Sequence, residues 1–227
     1  MGAVDDGMAR QVGAAAPGGL TEGARGRREV RQRGDLRYAR RLGRFITMPS
    51  ATSDRYGGVA ITLHWLLAAA LASSFSVGLF MSDLENSPLK LRLFNWHKWA
   101  GITILALSAL RLAWRLTHSP PADVPMSGWQ RRTAQLTHRL MYGLFFAVPL
   151  AGWAYSSAAG FPVVVFGILP LPDFMPADKT LAAAIKTWHG ALAYALAGLV
   201  LVHVAAAIKH HLVDRDGLLG RMWPPHR

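Results

Sequence analysis

Apolar positions in this chain are gathered into long runs separated by short polar, basic segments. From Tyr56 to Ser82 no charged side chain occurs in 27 residues. A helix rises about 1.5 Å per residue, so roughly 20 apolar residues cross a bilayer core and one span fits here. A second span runs from about Leu93 to Leu116, charge-free from Trp99 to Leu110. A third runs from near Thr133 to about Ser157, and a fourth covers roughly Lys179 to His211, charge-free from Thr187 to Ile208. Between Arg139 and Asp173 there is again no charge, but Gly160, Pro162, Pro170, Pro172 and Pro176 break the second half. That half reads as an ordered loop or a re-entrant segment at the interface. The pattern predicts an all-α fold, a transmembrane four-helix up-down bundle with loops of roughly 10 to 25 residues. No internal repeat is visible.

Composition agrees. Of 227 residues, 52% are hydrophobic and only 17% charged, below the roughly 25% of an average soluble domain. The absence of cysteine excludes a disulfide scaffold, a c-type haem attachment and cysteine-ligated iron–sulfur clusters. A net charge of +12 would suit nucleic acid, but its distribution does not. Ten of the 25 basic residues precede Met48, and most others flank the apolar runs, as membrane topology signals do. No nucleic-acid partner is expected.

Residues 1–47 are Gly-, Ala- and Arg-rich, with ten Arg against five acids. Such a stretch buries too little apolar area to offset its ordering entropy and is expected to be disordered. Its Arg pairs at 27–28 and 40–41 lack the prompt apolar run of a twin-arginine signal. Residues 48–227 then form the membrane domain. Met48 resembles an ordinary start, and the upstream part is expected to be dispensable or untranslated. Lys and Arg counts set the orientation. Arg55, the Arg111–Arg139 stretch and the C-terminal tail outweigh the connections carrying Lys90, Arg92 and Lys98, and Lys179 and Lys186. Both termini are predicted cytoplasmic.

Five histidines fall within or beside the spans: His64, His97, His138, His189 and His203. Ionisable residues at membrane depth are costly and mark function. His189 and His203 are 14 residues apart, about 21 Å of helix rise with about 40° of net rotation, so they share a stripe. With the predicted topology, His64 and His203 fall at the cytoplasmic level, and His97 and His189 at the outer level. Two cross-helix pairs at two depths suit haem iron, which takes axial ligands on opposite sides of a flat macrocycle. Zinc would be left short of its tetrahedral set. Copper, a non-haem ion or purely structural histidines are the alternatives. Gly101, Gly190 and Gly198 offer the close approach a porphyrin needs.

The motifs converge on one family. Arg55-Tyr56-Gly57, Leu63-His64-Trp65, His97-Lys98 with Gly101-Ile102, and Arg111-Leu-Ala-Trp-Arg-Leu followed by Pro120-Pro121 resemble the prokaryotic cytochrome b561 family. So do Val165-Phe166-Gly167, Trp188-His189, and Lys209-His210-His211 with Asp214. The similarity covers about Asp54 to Trp223, and the Arg-rich extension is a departure from it. The resemblance implies two b-type haems in a multi-pass protein of the bacterial inner membrane, with His64 and His203 as iron ligands of one haem and His97 and His189 of the other. It implies electron transfer between a quinone, ubiquinone in the best-understood type, and a second partner. His138 competes with His64 as inner ligand. The family pattern leaves it to a propionate or quinone hydrogen bond. Arg55, Lys98, Arg139 and Lys186 lie at levels suited to haem propionates, although interfacial cations also snorkel. His118, His210 and His211 read as loop or helix-end residues.

Three functions follow as expectations. The first is a superoxide:quinone oxidoreductase, with superoxide as outer donor. The second is a non-catalytic haem b carrier or anchor for a periplasmic redox protein. The third is a His-lined metal permease. Lipid is a partner in each.

Overall fold

The computed structural model describes residues 54–224. The expectations for residues 1–47 and for a start at Met48 lie outside them. Four long helices follow in order: α1 Gly58–Asp83, α2 Pro88–Thr117, α3 Gly128–Ala158 and α4 Lys179–Lys209. A π-helical turn, His210–Asp214, and a 3-10 turn, Leu219–Arg221, complete the C-terminal segment.

Among the described residues three segments are long and apolar enough to cross a membrane: Gly58–Asp83, Pro88–Thr117 and Lys179–Asp214. The helix α3 is long but falls short on apolarity. Its first half carries Arg131, Arg132, His138 and Arg139 among polar neighbours, and only the second half is continuously apolar. Outward surfaces are apolar, with Phe80, Leu110, Leu150 and Val202 exposed. In water such faces would be a liability; against lipid they are the expected solvent-facing side.

Local chemistry explains where the helices start. Ser87 caps α2 by accepting from the Lys90 amide at 3.2 Å, and Pro88 occupies the first turn, where its missing N–H costs nothing. The helix therefore begins five residues before the apolar run, at Pro88 rather than Leu93. Likewise α3 begins at Gly128 rather than Thr133, because the Gln130 side chain accepts from the Ser127 amide at 3.0 Å. Asp178 caps α4 through the Leu181 amide at 2.8 Å.

At the other end, α3 stops in a Schellman arrangement. Gly160 takes φ +74°, the Phe161 amide donates to Ser156 and the Gly160 amide to Ser157. The chain beyond is the proline-broken segment expected as an ordered loop or a re-entrant segment. It carries a minimal antiparallel pair, β1 Val164–Val165 and β2 Leu169–Pro170, turned by Phe166 (φ 51°) and Gly167 (φ 73°). Both turn residues have positive φ, as a tight I′-type hairpin demands. Trp99 Nε1 of α2 donates to the Val164 carbonyl at 2.7 Å, and Lys98 Nζ to Pro162 at 3.1 Å, tying this loop to the start of α2.

Within the described residues α1 packs along α2, α2 against α3, and α3 along α4. One buried cluster draws on all four: Leu67 of α1, Ile104 of α2, Met141 and Phe145 of α3, and Leu196 of α4.

Candidate functional site

Helix periodicity organises the interior. On α4, Leu196 lies seven residues after His189 and seven before His203. On α2, Ile104 stands midway between His97 and Arg111 in the same way. Seven residues are about two turns, so each triplet shares a stripe and the apolar cluster separates two polar levels.

At one level His97 and His189 face each other across α2 and α4, with ring centroids 6.0 Å apart. Each ring is docked on a third element. His97 Nδ1 lies 3.1 Å from the Ser74 carbonyl and 3.2 Å from Ser74 Oγ on α1. His189 Nδ1 lies 3.0 Å from the Val148 carbonyl on α3. A carbonyl only accepts, so both Nδ1 atoms carry the proton and both Nε2 atoms keep a lone pair for a metal. Glycine makes each docking sterically feasible. A Cβ on Gly78 would stand 3.1 Å from His97 Cε1, and one on Gly152 would stand 3.0 Å from His189 Cε1. Gly78 follows Ser74, and Gly152 follows Val148, by four residues. The same device recurs: an acceptor carbonyl, then a glycine one turn on, with an imidazole laid into the gap.

The other level holds three histidines. His64 and His203 have centroids 6.3 Å apart, and His138 and His203 5.4 Å apart. Arg111 bears electrostatically on all three. Its Nε donates to Tyr142 Oη at 3.2 Å, while its buried NH1 has no partner among the described residues. Leaving a buried charged donor unmatched costs upwards of about 1–3 kcal/mol.

One cavity of about 1800 Å³ connects the levels and includes all five histidines in its wall. Its volume exceeds the roughly 300–1,000 Å³ of ordinary small-molecule pockets. Among the described residues Lys90, Lys98, Arg111, Arg115, Lys186 and Arg221 line it, and no Asp or Glu does. A cationic wall without acids is suited to a ligand that brings its own carboxylates. A metal–imidazole bond of about 2 Å on either side of one ion sets two ring centroids about 6 Å apart, which both facing pairs meet. The residues present therefore fit two planar, iron-centred, propionate-bearing groups. Gly101 and Gly190 line the cavity with open space above them, whereas Gly198 is not part of its wall.

Of the other residues singled out in the sequence, Lys98 and Lys186 reach the cavity. Arg139 is exposed and lies outside its wall. Arg55 is turned to the C-terminal segment, where NH2 donates to the Trp223 carbonyl at 2.6 Å. His118 stacks on Trp114 at 3.6 Å. His210 Nδ1 meets Asp216 at 2.6 Å and Asp214 at 3.1 Å, and Lys209 binds the same Asp214 oxygen, so this cluster is a helix-end clasp. Arg111 was hidden by its apparent role as a topology signal. Its spacing of 14 from His97, equal to that between His189 and His203, was the clue to its depth.

Comparison with known proteins agrees with the motifs. The family model described as prokaryotic cytochrome b561 matches residues 55–225. "Cytochrome b561 homolog 2" of Escherichia coli (strain K12) is 32% identical over 182 residues, covering 75% of this chain and 92% of that protein. "Cytochrome b561 homolog 1" of the same organism is 30% identical over 176 residues, covering 75% and 98%. A Yersinia pestis protein described as "Probable superoxide oxidase CybB" is 30% identical over 179 residues, covering 76% and 98%. With most of the chain and nearly all of each relative aligned, the chain belongs to the prokaryotic cytochrome b561 family, membrane proteins that bind b-type haem and carry electrons across the bilayer.

Proposed function

We propose that this protein is a multi-pass inner-membrane electron conduit, an up-down four-helix bundle with both termini cytoplasmic and two bis-histidine b haems. His97 and His189 would hold the outer haem, and His64 and His203 the inner one. The observation that carries this reading is the pair of facing imidazoles at 6.0 and 6.3 Å in one acid-free cationic cavity. Haem held by these histidines would supply one-electron chemistry at iron, and a pair of imidazoles on each iron would leave it no site for O₂. The chain does the rest. Ile104 and Leu196 keep the space between the levels apolar, and the docked Nδ1 protons of His97 and His189 fix ring orientation. Lys98 and Lys186 are suited to propionates at the outer level, and Arg111 and Arg115 at the inner.

The donor we assign is superoxide and the acceptor ubiquinone. The description of the Yersinia relative supports the donor. So does the lysine-rich outer wall, which would steer a small anion. The test is superoxide consumption by the purified haem-loaded protein with and without quinone. Quinone-dependent consumption with quinol formation is expected. A protein with a reducible b-type spectrum and no such activity would be a haem b carrier for a periplasmic redox partner. A protein without that spectrum would discard both haem readings.

A further inference from the structure

The two levels are built from different second shells, and the difference has a direction. At the His97–His189 level both imidazoles donate Nδ1–H to backbone carbonyls, and His97 has Ser74 Oγ as a second acceptor. Such bonds raise the basicity of the opposite nitrogen and favour the more highly charged metal state. At the other level, the ring nitrogens of His64 and His203 have no protein hydrogen bond among the described residues. What faces them is Arg111, with NH1 buried and unmatched. A cation in a low-dielectric interior favours the less positive metal state. The lysines of the first level, Lys90, Lys98 and Lys186, keep their charges but lie in the first turns of their helices, with Lys186 exposed, so water screens them more than it screens the buried NH1 of Arg111.

Taking the four histidines as haem ligands, as proposed above, we infer that the Ser74–Gly78 and Val148–Gly152 dockings, set against the Arg111 charge, make the outer haem the lower-potential centre and the inner haem the higher. One electron then passes downhill from outer to inner iron, oxidising the first and reducing the second by one unit. Ser74, Gly78, Gly152 and Arg111 are positioning and tuning residues that impose inward flow. A propionate held by Arg111 would not reverse this, since the cation still offsets its negative charge at the iron.

The test is an anaerobic spectroelectrochemical titration of the full-length haem-loaded protein in lipid nanodiscs, with haem counted in every sample. His97→Ala should retain one haem, titrating at the higher wild-type midpoint. Retention of both haems would sink the ligand reading. One haem titrating at the lower midpoint would overturn the ordering while leaving the ligands in place. Arg111→Gln should lower the reduction equilibrium constant of the higher couple about tenfold, which is 59 mV for one electron, and leave the lower couple in place. Arg111→Lys should recover most of that shift. Movement of the lower couple instead, or no movement, would overturn the role of Arg111. Ser74→Ala tests the other arm independently, even if an Arg111 variant fails to assemble. It should raise the lower midpoint alone, and a shift of the higher midpoint or of neither contradicts the inference.

Discussion

Among single residues, the choice between His64 and His138 as partner of His203 turns on distance. The 6.3 Å separation of His64 and His203 suits an ion between two rings, whereas 5.4 Å for His138 and His203 is short for two bonds of about 2 Å. His138→Ala should therefore keep both haems while His64→Ala loses one, which a haem count on the purified variants decides. A second expectation concerns Asp216, outside the spans. Burial pushes its carboxyl up, but the Leu218 amide and the His210 ring hold it down more strongly, and the net shift is below the ordinary carboxylate value. A lowered folded-state value means the clasp is fully present above the unfolded value and is lost as pH falls through the folded one. Protection of the Leu218 amide from hydrogen exchange should therefore decline only below about pH 4, near the unfolded reference. Asp216→Asn should abolish that dependence. Arg111 is where residue-level reading of the sequence fell short. Positive charges near span ends are usually topology signals, and only the packed helices reveal this one as half-buried in the cavity wall with its NH1 sealed from water. Arg139 differs the other way: its place in the sequence suits a propionate, but its side chain is exposed and outside the cavity wall.

For whole elements, the charge-free runs made the four helices legible, because apolar length is set by bilayer thickness. The starts of α2 and α3 were less so, since caps at Ser87 and Ser127–Gln130 extend each helix into polar sequence. The glycine dockings were invisible beforehand. A helical glycine at 78 or 152 has no sequence signature of its own, and its role depends on a neighbouring helix presenting an imidazole opposite the gap. Gly152→Ala should force the His189 ring to shift by a few tenths of an ångström and weaken its bond to Val148. We expect about 10- to 100-fold weaker retention of one haem, measured by haem transfer to an apo-globin acceptor. The same change at Gly143, which meets nothing within 4 Å, should leave retention unchanged.

In the whole molecule, two histidine levels lie about 21 Å apart along the helices, a distance that spans most of a bilayer core, with an apolar cluster between them. That His97 stands across from His189, and His64 near His203, was readable from the 14-residue spacing on α4 and the alternation of helix direction. An acid-free cavity wall was not readable, since Asp83, Glu85, Asp173 and Asp178 lie close in sequence to its lysines yet outside its lining. If those lysines steer superoxide, the bimolecular rate should fall steeply with ionic strength while the rate from a neutral reductant stays flat. Stopped-flow rates at several salt concentrations compare the two.

The central claim is that His97 and His189 serve one iron while His64 and His203 serve another. Haem stoichiometry and reduced-minus-oxidised spectra of His97→Ala, His189→Ala and the double variant test it most directly. The account predicts one haem in each of the three, with the same residual band, because both substitutions empty the same site. Two single variants that keep different haems, or a double variant that keeps none, would contradict it.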